Sequence, residues 1–247
     1  DIHVSVDRQG WVVPVNLIRK WGDDPAQIQK NASIYILSKD GKKAGMRTYV
    51  LGMKTELLYV GGQTFDGDVK GYIATGYFEN DAGKKIAWVM RLNKDLSMVW
   101  QREYGRGLSA KLVKAAADEN GDVLIAGDVN SAESNISGAW LAKLDGVRGT
   151  MYWQRYYASK NEDYNYNVRN IARHEDGRIS LFLLGEVLDK KKIAEEGELL
   201  DDKEKYFGHL LTLNPRGRML AGDGFYAGYG SYVSGMSLDK AGRRVLV

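Results

Sequence analysis

AWLAKLDGVRGTMYWQRYY, the stretch from Ala139 to Tyr157, sets two apolar arms around Asp145-Gly146-Val147-Arg148-Gly149. Asp and Gly there supply the turn chemistry that joins antiparallel strands, so the stretch reads as a β-hairpin. The pattern recurs at Ala32 to Tyr49, Ala87 to Tyr104 and Gly208 to Phe225. In each copy a Leu precedes the turn (Leu37, Leu92, Leu144, Leu213) and an aromatic closes the second arm (Tyr49, Tyr104, Tyr157, Phe225). Trp100 and Trp153 share a position four residues before that aromatic, and Trp88 and Trp140 share one four residues before the Leu.

Outward from the hairpins lies a second recurring element, a polar turn ending in Gly10, Gly67, Gly121, Gly177 and Gly242, with spacings of 57, 54, 56 and 65. A β-branched or apolar run follows each turn, as in Val123–Ala126 and Ile179–Leu184, and another strand-like run precedes most of them, as in Leu57–Val60 and Lys111–Ala116. One period therefore carries four short strands: a after the Gly turn, b and c as the aromatic hairpin, and d before the next turn. Four antiparallel strands repeated at this interval are the signature of a β-propeller blade. The fold expected is all-β, a β-propeller of four-stranded antiparallel blades, with an up-and-down barrel or sandwich of duplicated hairpins as the alternative. The approximate repeats are 11–66, 67–120, 121–176 and 177–241 of a single domain over 1–247. Four complete blades plus flanking strands of an incomplete fifth are expected, which implies a longer natural chain or a second chain that closes the ring.

Composition narrows the classes. The 29 Gly against 3 Pro suit many tight turns between paired strands. A net charge of +3 without a basic cluster argues against a nucleic-acid partner. The absence of Cys excludes disulfides, thiolate metal sites and a cysteine nucleophile. No apolar run approaches the ~18 residues of a membrane span.

Trp140-Leu-Ala-Lys-Leu144-Asp145, followed by Gly149, Trp153 and Tyr157, resembles the repeat of bacterial secreted and cell-surface β-propellers. The Asp145, Gly149, Trp153 spacing is also similar to the tryptophan-docking motif of quinoprotein-like propellers, whose Trp packs between neighbouring blades. The first and fourth copies depart from it, with Gly45 and Ala221 in the Trp position. The resemblance implies an extracytoplasmic location, periplasmic, cell-surface or secreted.

The b–c and d–a connections are short and regular. The a–b and c–d connections are long, including 78–85, 129–138, 158–167, 186–206 and 227–231, and loops on a rigid scaffold carry function. The a–b/c–d face is therefore the expected recognition face. Its candidate contacts are Asp163, Tyr164, Tyr166, Glu195, Glu196, Tyr226, Tyr229 and Tyr232, tyrosines being enriched at interfaces. Glu195 and Glu196 belong to the mixed-charge segment 189–205, which reads as a solvated insertion or a reaching arm.

Catalytic signals are sparse. His3, His174 and His209 lack local metal-ligand spacing, Asp66 with Asp68 and Asp118 with Asp122 lack a full Ca²⁺ loop, and no phosphate loop is present. No catalytic residue, metal or cofactor is nominated. The function expected is a non-catalytic interaction or scaffold module presenting a loop-rich face to a protein partner or larger assembly, in keeping with a cell-envelope setting. The alternative is a propeller enzyme, quinoprotein dehydrogenase-like or carbohydrate-active, with a small molecule or glycan in a central channel.

Overall fold

Short apolar runs rich in β-branched and aromatic residues, punctuated by Gly turns, become strands throughout. The computed structural model describes residues 5–7, 10–20, 28–52, 54–65, 68–105, 108–118, 120–131, 136–158, 164–187, 206–225, 236–238 and 243–246, and holds no helix among them. The strands run β1 (Ser5–Asp7), β2 (Gly10–Lys20), β3 (Ile28–Ser38), β4 (Lys43–Tyr49); β5 (Lys54–Phe65), β6 (Asp68–Glu79), β7 (Lys85–Leu92), β8 (Met98–Tyr104); β9 (Ser109–Ala117), β10 (Val123–Ser131), β11 (Ile136–Leu144), β12 (Met151–Tyr157); β13 (Tyr164–Arg173), β14 (Ile179–Val187), β15 (Tyr206–Leu213), β16 (Met219–Phe225); and β17 (Met236–Leu238) with β18 (Arg244–Leu246).

Each group of four pairs in chain order as an antiparallel meander, d-a-b-c in the sequence period. β1 to β4 and β5 to β8 join through a single parallel pairing, Lys30 with Lys54, into one eight-stranded sheet. β9 to β12 and β13 to β16 are separate four-stranded sheets, and β17 pairs with β18 alone. The a and b strands are the buried ones: Val123–Ala126 of β10 and Ile179–Leu184 of β14, the second apolar but for the buried Ser180, are covered on both faces. The c strands are the outer ones, and in β8 only Trp100 and Tyr104 are buried.

By contact density the chain forms two compact units, Asp1–Ile125 with Lys143–Tyr152, and Ala126–Ala142 with Trp153–Val247. The core of the first gathers Val12, Ile34, Leu57, Trp88, Met90 and Leu96, among others. In the second, Phe182, Leu210 and Met236 pack together. Full burial of an indole such as Trp88 removes roughly 150–250 Å² from water, an upper bound of about 4–6 kcal/mol.

The recurring aromatics have a specific task. The second, third and fourth b–c turns each place one residue at positive φ: Leu96 at 64°, Gly149 at 71° and Gly217 at 71°. The carbonyl of that residue accepts the phenol of the preceding group's c strand. Tyr49 donates to Leu96 at 2.8 Å, Tyr157 donates to Gly217 at 2.7 Å, and Tyr104 donates to Gly149. Trp100 lies against Gly149, where an added Cβ would come within 3.0 Å of its ring, and Trp153 lies against Gly217, where the distance would be 2.8 Å. Trp100 Nε1 also donates to Gly146 O at 3.0 Å. The aromatic positions of the hairpin are thus inter-hairpin docking groups.

Several strands extend into stretches that read as loops. Phe78 and Glu79 close β6, Lys85 opens β7, Val129–Ser131 end β10, and Tyr164–Asn167 belong to β13. Ladder pairing explains this: Tyr164 faces Val187 and Tyr166 faces Gly185, so backbone hydrogen bonding overrides the polar, turn-like composition. Among the described residues no helix is long and apolar enough to cross a membrane.

Candidate functional site

In the first unit, the ends of β5, β6 and β7 beside the Asn80–Lys84 turn concentrate charge. The β5–β6 ladder sets Lys54 opposite Glu79 and Glu56 opposite Tyr77, so alternation puts all four on one face of the sheet. β7 adds Lys85 opposite Glu79. The parallel pairing of Lys30 with Lys54 brings in the start of that strand from β3. The result is two carboxylates, three ammonium groups and one phenol at the side of the a–b and c–d connections.

The contacts are close. Lys30 Nζ donates to Glu56 Oε1 at 2.6 Å, and Lys54 Nζ lies 2.8 Å from Glu79 Oε2. The Glu56 and Glu79 side chains are 16% and 20% exposed, so both ion pairs are partly desolvated yet reachable. Lys85 Nζ stands 4.9 Å from the centre of the Tyr77 ring. Burial, then the hydrogen bond to Glu56 and the charges of Glu56 and Glu79, push the Tyr77 phenol well above its ordinary value, so it remains a neutral donor. The backbone beneath is pinned: Asn16 Nδ2 donates to Leu57 O at 3.0 Å, and Leu57 N donates to Asn16 Oδ1 at 2.9 Å. Glu56 and Glu79 are diagonal neighbours across one strand pair, a relation that sets their α-carbons about 7–8 Å apart. Two carboxylates on one face of a sheet are the pairing that acid–base cleavage of a glycosidic bond uses.

Two further charged positions lie elsewhere in the same unit. Lys143 Nζ binds Asp118 Oδ2 at 3.1 Å and Asp122 Oδ2 at 2.9 Å, which occupies the carboxylates that could have been read as Ca²⁺ ligands. Lys114 is buried on β9 with its Nζ 5.4 Å from the Tyr59 ring centre, and desolvation pushes its pKa down to about 8.

In the second unit, Tyr166 of β13 meets two residues of β15. Its ring centre is 6.1 Å from Phe207, edge to face, and 5.5 Å from His209. Phe207 and His209 are 6.5 Å apart, closing a triangle of rings. Burial lowers the His209 pKa, opposed by the charge of Asp223, so the imidazole is neutral at pH 7.

Of the residues expected at the recognition face, Tyr166 is thus in an aromatic cluster rather than on a loop, and Tyr164 opens β13 opposite Val187. Asp163, Glu195, Glu196, Tyr226, Tyr229 and Tyr232 lie outside the described residues. Sequence reasoning did not single out Lys30, Lys54, Glu56, Tyr77, Glu79 or Lys85. A partial signal existed, since Lys54-Thr55-Glu56 and Tyr77-Phe78-Glu79 each alternate polar groups at a strand end. Nothing in the sequence shows that those two strand ends pair.

No protein-family model matches the chain, and no curated protein matches it in sequence. Solved structures do match in fold, and they are of β-propeller type. The chain is similar to an endo-arabinase from Bacteroides thetaiotaomicron at a TM-score of 0.54 and 10% identity, covering 100% of this chain and 87% of that one. It is also similar to a mannose phosphorylase from Leishmania mexicana, solved with a phosphate ion, at a TM-score of 0.53 and 10% identity, covering 100% and 79%. At this identity the likeness shows the fold, an all-β architecture of four-stranded antiparallel sheets with propeller-type neighbours. The expected non-catalytic scaffold is corrected at this point. The endo-arabinase and the mannose phosphorylase among the matching structures are enzymes, and the sequence favoured a scaffold because the carboxylates of Glu56 and Glu79, on strands β5 and β6, form no motif along the chain.

Proposed function

We propose that the protein is a carbohydrate-active enzyme of propeller type that cleaves a glycosidic bond with Glu56 and Glu79. The observation that carries this reading is the diagonal pair of partly buried carboxylates on one sheet face, each held by its own lysine. Glu56, fixed by Lys30 and Tyr77, serves as the charged carboxylate that orients water and faces the developing positive charge of the sugar ring. The Lys54–Glu79 pair at the mouth of the Asn80–Lys84 turn holds one proton, on Lys54, and delivers it to the leaving oxygen. Lys85 contributes hydrogen-bond donors to sugar hydroxyls. The fold neighbours named as an endo-arabinase and a mannose phosphorylase support a carbohydrate as the substrate class.

The same proposal takes each four-strand meander, β1–β4, β5–β8, β9–β12 and β13–β16, as a propeller blade, with β17 and β18 as strands of a fifth; the repeats 11–66, 67–120, 121–176 and 177–241 start one strand later, at the a strand of each blade. The repeat pattern of Trp140, Asp145, Gly149 and Trp153 supports a place among bacterial secreted propellers, and an extracytoplasmic location suits a polymeric glycan substrate. Asp163, Tyr164, Tyr166, Glu195, Glu196, Tyr226, Tyr229 and Tyr232 are proposed as partner contacts of the second unit by itself.

The test is turnover of arabino- and manno-oligosaccharides by the full chain and by Glu56→Gln and Glu79→Gln. Loss of at least 100-fold in kcat/KM in each variant, with melting unchanged within a few degrees, is expected. Retained turnover in both variants overturns the assignment of the pair.

A further inference from the structure

The first b–c turn repeats the backbone of its three siblings but not their surroundings. Ser38 N donates to Lys42 O and Gly41 N donates to Ser38 O, at 2.8 Å each. The same two bonds join Asn93 with Ser97 and Leu96, Asp145 with Thr150 and Gly149, and Asn214 with Arg218 and Gly217. Gly41, at φ 78°, therefore stands where Leu96, Gly149 and Gly217 stand in the later turns. Those three are buried against the outer strand of the preceding hairpin. Gly41 is exposed, and a Cβ on it would meet nothing within 4 Å.

A common set of groups covers the later turns. Beside the indoles of Trp100 and Trp153, the Cγ atoms of Arg102 and Arg155 lie 3.0 Å and 3.1 Å from where a Cβ on Gly149 and Gly217 would stand. Both guanidinium groups turn back on their own strands, Arg102 Nη1 donating to Gln101 O at 2.9 Å and Arg155 Nη1 to Gln154 O at 2.8 Å. The apolar stem of each Arg thus faces the turn while the charge stays in water. With the phenols of Tyr104 and Tyr157 on the turn carbonyls, both docking strands read Trp-x-Arg-x-Tyr, over 100–104 and 153–157. β4 keeps Arg47 and Tyr49, both donating to Leu96 O, with Gly45 in the Trp position. The fourth outer strand, β16, has Ala221, Asp223 and Phe225 at the three positions and carries neither indole, Arg stem nor phenol.

We propose that the turn 38–42 docks a partner polypeptide through a β-hairpin whose outer strand carries Trp-x-Arg-x-Tyr. The indole and the Arg stem cover Gly41, and the phenol donates to its carbonyl. Glycine at 41 selects the Trp form of the strand: Gly149 and Gly217 meet Trp100 and Trp153, whereas Leu96 meets the strand that has Gly45. Lys39 and Lys42 do not oppose the Arg, since the fourth turn carries Arg216 and Arg218 and still takes Arg155. The chain's own strands do not supply the occupant, because β8 and β12 are already docked on Gly149 and Gly217 and β16 lacks the three groups. The surface lies at the opposite end of β3 from Lys30 and is independent of the function proposed above.

The probe is a peptide of residues 139–157, cyclised head to tail so that its arms stay paired, carrying a fluorophore whose anisotropy reports binding to the full chain. Gly41→Asn is the blocking variant: Asn tolerates left-handed backbone, and its side chain occupies the space the indole needs. Saturable binding to the wild type is expected. Affinity falls by about tenfold or more with Gly41→Asn, and equally when the peptide carries Trp153→Ala and Tyr157→Phe. Gly83→Asn, the same exchange at another left-handed glycine with open space around it, leaves binding unchanged. No saturable binding, or undiminished binding to Gly41→Asn, overturns the proposal. Self-association of the wild type that Gly41→Asn abolishes, read by sedimentation, hands the surface to a second copy of the chain and overturns it too.

Discussion

Leu96 is a leucine in left-handed backbone at φ 64°, a conformation that costs a side-chain-bearing residue roughly 1–2 kcal/mol relative to Gly. Its two sibling turns use Gly149 and Gly217 at that position. The docking geometry explains the exchange. Trp100 and Trp153 fill the space where a Cβ on those glycines would stand, whereas the first hairpin has Gly45 in the Trp position. Leu96 is 2% exposed and belongs to the cluster that packs against Ile36, the cross-strand partner of Gly45. Leucine at 96 thus fills the volume that the missing indole leaves open. Leu96→Gly relieves the backbone strain but empties a site of the kind where large-to-small changes cost about 2–5 kcal/mol, so a net loss of about 1–3 kcal/mol is expected. Gly45→Trp alone overpacks the same space by about 1–3 kcal/mol. The double variant Gly45→Trp/Leu96→Gly rebuilds the sibling arrangement and recovers at least 1 kcal/mol relative to the sum of the singles. Urea unfolding followed by tryptophan fluorescence reads all four proteins. At this chain length, each kcal/mol corresponds to about 2–4 °C in Tm. Additive losses in the double variant refute the docking argument.

Other expectations rest on single contacts. Tyr157→Phe removes a phenol that donates to Gly217 at 2.7 Å and leaves that carbonyl unserved, a loss of about 1–2 kcal/mol by denaturant midpoint; an unchanged midpoint contradicts the docking role. For Lys114, the folded-state pKa of about 8 lies below the unfolded value, so the unfolded chain binds more protons between about pH 8 and 10. Stability attributable to this group is therefore least below pH 8 and rises with pH across that window. Lys114→Met removes that increment, and an identical pH slope in wild type and variant is the contrary result. Tyr49 and Tyr104 are raised to about 12, chiefly by burial. Their contribution is fully present below about pH 10, where unfolded tyrosine is still neutral, and is lost as pH rises toward 12. Alkaline unfolding accordingly coincides with phenolate absorbance, and ionisation of all tyrosines before unfolding contradicts it.

The architecture was legible because it is written in local periodicity. The hairpin of Ala139 to Tyr157 carries its own turn, and its spacing from the preceding and following Gly turns defines four strands per period, which pair as the sequence implies. For Trp153 a docking role was implied by the resemblance to the tryptophan-docking motif, whereas the hydrogen bond of Tyr157 to Gly217 was not read, because a recurring aromatic does not name its partner. The Leu96 substitution was not legible either, because a left-handed leucine leaves no compositional mark. The charged site escaped for a different reason. Lys30, Glu56 and Glu79 come from three strands, and the ladders that align them depend on register, which one residue of slip would reverse. Strand ends beside polar turns likewise read as loop, so Tyr164 and Tyr166 were placed on a loop that the β13–β14 ladder converts to strand.

The most direct test is the anomeric proton spectrum of arabino- and manno-oligosaccharides incubated with the full chain. The proposed reaction is an inverting one, in which water oriented by Glu56 attacks opposite the leaving group. The account predicts a new reducing-end signal whose first-formed anomer is opposite to that of the cleaved bond, absent with Glu56→Gln. A spectrum without new reducing ends, or the retained anomer appearing first, contradicts it.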